Sequence, residues 1–233
     1  MSTVPMPQPR APVRVRAKYV AFAVVGLMIA YVLQHNEAFL LDPDDPAWSH
    51  YATIKWWLLP HGLAGALAIF LGITQFSTRL RARHLAVHRW VGRTYVALVL
   101  VAAPLGAYIQ YVEEAMGMQR SFTLAAIVDA CLWLLATGVA FWAIRGKRID
   151  LHRQWMTRSF VMATVFLQVR VIAGVSGWEA LGPTAIETIV WICVASAYPI
   201  ADLALMMEDR LSRRELRRPP GAAERDAVRL PAG

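Results

Sequence analysis

The chain has 233 residues, of which 57% are hydrophobic and only 17% charged, and its mean hydropathy is +0.41. Such a composition excludes a soluble domain of this size and leaves an integral membrane protein, whose first partner is the lipid bilayer. A net charge of +8 would raise nucleic acid in a soluble chain; here the cations fall where topology needs them, so no nucleic-acid partner is expected.

In chain order, residues 1–17 carry Pro5, Pro7, Pro9 and Pro12 without an apolar period and are expected to be a disordered cytoplasmic lead. A bilayer core of roughly 30 Å takes about 20 apolar residues in helical form. Six segments approach that length: 19–33, 56–76, 91–112, 122–144, 159–175 and 185–207. Backbone polar groups must be paired within lipid, so runs this long predict a helical bundle and not a barrel. The first run follows basic residues as a signal peptide would, but QHNEAFLLDP succeeds it without a small-x-small cleavage site, so it is expected to be a retained helix. In the connection after it, Trp48, Tyr51, Trp56 and Trp57 predict an interfacial aromatic belt, part of it a short helix lying at the outer surface. Residues 18–207 are expected to form one six-helix domain, and residues 208–233 a basic, solvated tail.

On the second helix, His61, Gly65, Ala68, Gly72 and Gln75 share one face. A stripe of small residues admits either a neighbouring backbone or a flat ligand. The third helix aligns His88, Gly92, Tyr95, Val99, Ala102 and Gly106, and the fourth Asp129, Trp133, Ala136 and Ala140. The fifth aligns His152, Met156, Ser159, Ala163, Phe166 and Arg170, and the sixth Glu187, Trp191, Val194, Tyr198 and Asp202.

Two loops repeat each other. RLRARHLAVHRWVGRTY and RGKRIDLHRQWMTRSF each turn from a basic loop into an apolar run, with a His-Arg pair followed by Trp, Arg, a hydroxyl residue and an aromatic; the second copy has one extra residue. This predicts a duplicated helix-loop-helix. Of the 24 Lys and Arg, 21 fall at alternate ends of the predicted helices, which puts both termini and both His-Arg loops on the cytoplasmic side.

Depth sorts the polar residues into two layers. His61, Asp129, Arg170 and Glu187 fall in the outer half. A charge deep in a span costs about 2.5 to 3.5 kcal/mol on insertion scales, so Asp129 and Arg170 are expected to face inward and pair. That pair is either a lock between two helices or part of a functional site, with His61 beside it as a proton-exchanging group or ligand. His88 and His152 fall together at the inner boundary, with Arg89 and Arg153 next to them. Two imidazoles at one depth, with cations nearby for propionates, form what a b-type haem requires, and such a site implies a quinone or redox partner. His61 is the alternative ligand. The other interpretation is that the His-Arg pairs are interfacial anchors.

The combination HGLAGALAIFLGITQF, RARHLAVHRWVGRTY and DLHRQWMTRSF, followed by the Arg of FLQVR, resembles the bacterial membrane proteins of domain-of-unknown-function family 2306. The resemblance spans residues 61–170 and implies a multi-pass protein of the bacterial cytoplasmic membrane, with no activity attached. Cys131 and Cys193 form no pairing pattern and are expected to be buried small hydrophobes. GxGxxG, HExxH and CxxC motifs are absent. Three functions remain open: a haem-binding or redox protein, a structural or partner-binding subunit, and a proton-coupled or small-solute carrier. The charge bias makes one firm prediction. Reporter fusions after Gly117 and after Asp150 should report opposite sides of the membrane; finding them on the same side refutes this topology.

Overall fold

Apolar runs of this length can satisfy their backbone in lipid only as helices, and among the described residues, 17–42 and 44–216, the computed structural model contains no strand. The helices are α1 (Ala17–His35), α2 (Ala47–Tyr51), α3 (Lys55–Gln75), α4 (Thr78–Arg83), α5 (Leu85–Ala115), α6 (Arg120–Arg145), α7 (Ile149–Ala163), α8 (Val165–Ser176) and α9 (Pro183–Leu216); short 3₁₀ turns lie at Ala38–Leu41 and Trp178–Leu181. Local chemistry sets several of the boundaries. Ser77 caps α4, its hydroxyl accepting from the Leu80 amide at 3.2 Å, and Gly177, in the left-handed region at φ 71°, ends α8. Helix α2 is the expected short outer helix. Its Trp48 donates to the Asp42 carbonyl at 2.9 Å, stacks edge-on with Phe39 and lies under the Lys55 ammonium.

The bundle is built from two antiparallel hairpins, α3 with α5 and α6 with α7, joined where α5 packs on α6; α9 covers α6, α7 and α8, and α1 leans on α8. The small-residue stripe of α3 is what brings α5 close. His61 at one end reaches the Ala102 carbonyl at 2.8 Å, and Gln75 at the other donates to the His88 carbonyl at 3.2 Å. Gly106 leaves room for the His61 ring, since a Cβ there would lie 2.8 Å from Cε1. Gly72 does the same for Phe160 of α7, whose Cδ2 would lie 2.5 Å from an added Cβ. On α5 the facing residues Tyr95, Val99 and Ala102 have no exposed surface at all. At Ala68 and Gly72 the stripe serves helix packing, whereas a Cβ added at Gly65 would meet nothing within 4 Å.

Four helices are long and apolar enough to cross a membrane: Lys55–Gln75, Leu85–Ala115, Arg120–Arg145 and Pro183–Arg210. The pair α7 and α8, bent by 42° at their junction, makes a fifth if the two are one span, and the apolar part of the first helix, Tyr19–His35, is shorter than a full span. Against the expected six, four or five crossings are thus supported by length and composition among the described residues. The bend has a local cause. The Thr164 hydroxyl and amide both turn back to the Val161 carbonyl, at 2.8 and 3.0 Å, and Gln168 donates to the same hydroxyl at 3.1 Å. A threonine that takes a carbonyl of the preceding turn competes with the helix ladder and bends it. The face expected to run unbroken from His152 to Arg170 consequently stops there: Met156, Ser159 and Ala163 are buried, whereas Phe166 is 49% exposed.

The last helix also differs from expectation, continuing past residue 207 to Leu216. Of the expected N-terminal lead, all but Ala17 lies outside the described residues, as do residues 217–233 of the expected tail. Cys193 is buried as expected, but Cys131 is exposed on the outer surface of α6.

The close packing of α3 on α7 gives a test. Gly72→Ala should destabilise the detergent-solubilised protein by about 1–3 kcal/mol, because a methyl there overpacks against a ring with no room to move. Gly26→Ala, where an added Cβ meets nothing within 4 Å, should leave the melting temperature unchanged or slightly raised; thermal melts of the two variants side by side check this.

Candidate functional site

The inner layer assembles where α5 and α7 begin. Helix α7 presents the His152 ring to α6, and Nδ1–H donates to the Ala140 carbonyl at 2.9 Å. Because a carbonyl only accepts, this bond fixes the tautomer and leaves Nε2 with its lone pair. Helix α5 presents His88, whose Nδ1 is buried with no hydrogen-bond partner. The groups within electrostatic reach of that ring are Arg81, Arg89 and His152, and both histidines lie near the starts of their helices at the same end of the bundle. Gln75 from α3 seats its amide against Gly92 and the His88 carbonyl, which sets the start of α5 relative to α3.

The two cations expected beside the histidines behave differently. Arg89 is exposed. Arg153 is held by α9, with Asp209 at 3.1 Å and Glu208 at 3.9 Å. A further asymmetry, in the residues after these cations, comes from the extra residue of the second copy. Counted from its histidine, Trp90 stands two residues on and Trp155 three, a rotation of about 100° on a helix of 3.6 residues per turn. Trp90 is consequently 68% exposed, while Trp155 packs edge-on against Tyr198 under the Arg158 guanidinium, and Arg158 pairs with Asp202 at 2.7 Å.

The same count uncovers a feature that matching the repeated letters conceals. Tyr95 and Ser159 both lie seven residues after their histidines, on the same helix face, and their hydroxyls meet at 2.8 Å. Thr137 approaches Ser159 at 2.7 Å and donates to the Trp133 carbonyl at 2.8 Å, and the Trp133 indole N–H donates to the Tyr95 hydroxyl at 3.3 Å. Since Thr137 spends its proton on a carbonyl, the order is determined: Trp133 donates to Tyr95, Tyr95 to Ser159, Ser159 to Thr137, and Thr137 back to Trp133. All four residues are buried. The face assignments had singled out Tyr95, Trp133 and Ser159 separately; Thr137 was missed, and only its position four residues after Trp133 could have signalled it.

The outer layer does not form the expected ion pair. Asp129 Oδ1 is buried with no hydrogen-bond partner. Arg170 lies over the Phe166 ring at 4.9 Å, within electrostatic reach of Glu37. The bend at Thr164 is the reason, because it directs α8 toward α9 and α1 and away from α6. His61 is engaged with α5, and Glu187 is half-buried near the start of α9. The remainder of the α9 face packs as expected: Trp191 donates to Ser121 at 2.9 Å and Tyr198 to the Leu132 carbonyl at 2.7 Å.

A family model described as "Predicted membrane protein (DUF2306)" matches residues 58–205, which covers both hairpins and most of α9. Neither a curated protein nor a solved structure matches the chain.

At the outer rim, burial pushes the Glu37 carboxyl above the usual carboxylate range, and Arg170 opposes this more weakly. A carboxyl whose proton is held more tightly in the folded state contributes stability that is complete at low pH and is lost as pH rises through the folded value. Glu37→Gln should therefore remove part of the decline in melting temperature as pH is raised from acid toward neutral, and an unchanged pH profile would contradict this placement of Glu37.

Proposed function

The chain belongs to the DUF2306 family of predicted membrane proteins, and for this multi-pass bundle we propose a redox function, with one b-type haem held between His88 and His152 at the basic end. The observation that carries the proposal is the buried, unpartnered Nδ1 of His88 beside a second histidine whose own Nδ1 is already anchored to a carbonyl. Buried polar nitrogens are rarely left without a partner, and anchoring one ring nitrogen is how proteins orient the other toward a metal.

In this proposal His88 of α5 and His152 of α7 would hold the iron. Gln75 holds the start of α5, and Ala140 holds the His152 ring. The cations for the propionates are Arg81 and Arg89, which face His88; Arg153 is occupied by Glu208 and Asp209 and braces α7 against α9. The bound group would supply one-electron transfer, and its depth suits a membrane quinone or a redox protein on the cytoplasmic side of the inner membrane.

The purified chain, expressed with ample haem, should bind one haem per chain with a low-spin spectrum. His88→Ala or His152→Ala should abolish that spectrum, because it would need both imidazoles. Arg89→Ala should only weaken haem retention, and His61→Ala should leave the band unchanged. A folded but colourless protein removes the redox function and leaves the His-Arg pairs as interfacial anchors.

A further inference from the structure

In the middle of the bundle the hydroxyls of Tyr95, Ser159, Thr137 and Tyr198 each spend their proton on a defined acceptor. Asp129 is the exception. It lies on α6 one turn outward from Trp133, about 14 Å from the start of that helix at 1.5 Å per residue, and its Oδ1 is buried without a partner. The donors closest along its face are already used: the Trp133 indole N–H goes to Tyr95, and the Tyr198 hydroxyl goes to the Leu132 carbonyl. No arginine or lysine compensates it among the described residues, since Arg170 is turned toward α1 and Arg158 is paired with Asp202. The ionisable groups on the helices packed against α6 include Tyr95 from α5, His152 and Arg158 from α7, and Cys193, Tyr198 and Asp202 from α9. Of these, Tyr198 interacts electrostatically with Asp129.

An ionised carboxylate with neither a cation nor a hydrogen-bond donor is not sustained in a membrane interior, and protonation is the change that removes its charge. We propose that Asp129 is a proton-binding site within the membrane, its carboxyl exchanging a proton with water at the basic end along the seam between α6 and α9. The step is a simple protonation: one O–H bond forms on the Asp129 carboxylate as a proton leaves water, and nothing is oxidised or reduced. The seam suits exchange because Tyr198 and Asp202 stand one turn apart on α9, and the Asp202 side chain at its basic end is 46% exposed.

The test uses the full chain in phosphatidylcholine vesicles and a fluorescent, membrane-permeant carbodiimide, which modifies protonated carboxyls buried in lipid; the labelled residue is located by peptide mass spectrometry. Asp129 should carry the label at neutral pH, with labelling falling about tenfold per pH unit once the protonated fraction declines. Asp129→Asn should bring the label on that peptide to background. The map of the unsubstituted chain is decisive by itself if the variant does not fold. An Asp129 that is unlabelled at neutral pH, or labelled only in the acid range where Asp202 and Glu208 also react, overturns the proposal. Labelling does not depend on haem, so repeating it on haem-free protein separates a failure here from a failure of the redox function.

Discussion

Lipid offers no hydrogen bonds to a membrane-spanning bundle, so a polar group in its interior must find its partner within the protein or meet a large desolvation penalty. The ring of donors through Trp133, Tyr95, Ser159 and Thr137 is the clearest answer to that constraint. It ties α5, α6 and α7 together at one level and leaves no hydroxyl proton unused. Above and below it the same rule selects short contacts between one helix's side chain and another's carbonyl: His61 to Ala102, His152 to Ala140, Tyr198 to Leu132 and Thr123 to Gln110. These bonds fix the helices in register where apolar packing alone, which lipid supplies equally well, would not.

Against that background, two of the buried atoms without hydrogen-bond partners among the described residues, one on His88 and one on Asp129, mark places where the bundle is incomplete. His88 Nδ1 lies at the basic end, next to a second histidine and two arginines; Asp129 Oδ1 lies in the interior, next to a tyrosine and no cation. Their surroundings ask for different things. A neutral ring nitrogen among cations is suited to a metal or an anionic cofactor, whereas a carboxylate in an apolar seam is suited to a proton. The donor ring separates the two along the bundle, so each can be perturbed without the other.

The two His-Arg segments are alike, and one extra residue in the second makes their surroundings unequal. With the extra residue, Trp155 and Arg158 rotate onto α9, where they meet Tyr198 and Asp202; their counterparts Trp90 and Arg93 face outward. The insertion leaves the histidines and the residues seven positions later in register, so Tyr95 and Ser159 still meet. The half that turned inward acquired the covering helix, and the half that did not presents its aromatic residue to the surroundings.

Composition and the length of the apolar runs by themselves determined a helical membrane bundle, because the backbone has no other way to satisfy itself in lipid. The period of small and polar residues determined which faces turn inward, down to the opposed stripes of α3 and α5, and the repeated His-Arg loops placed His88 and His152 near the starts of α5 and α7. Tertiary structure decided how those faces combine. Asp129 and Arg170 looked like partners because both are charged and at similar depth, but a threonine hydroxyl at residue 164 bends the junction of α7 and α8 and carries Arg170 to Glu37. Arg153 was legible as a cation beside a histidine, and its capture by Asp209 was not, since α9 continues as a helix beyond the last apolar residue. Periodicity reports the direction a side chain leaves its own helix; the bend angle, the rotation of one helix against another and the partner waiting there are properties of the packed bundle.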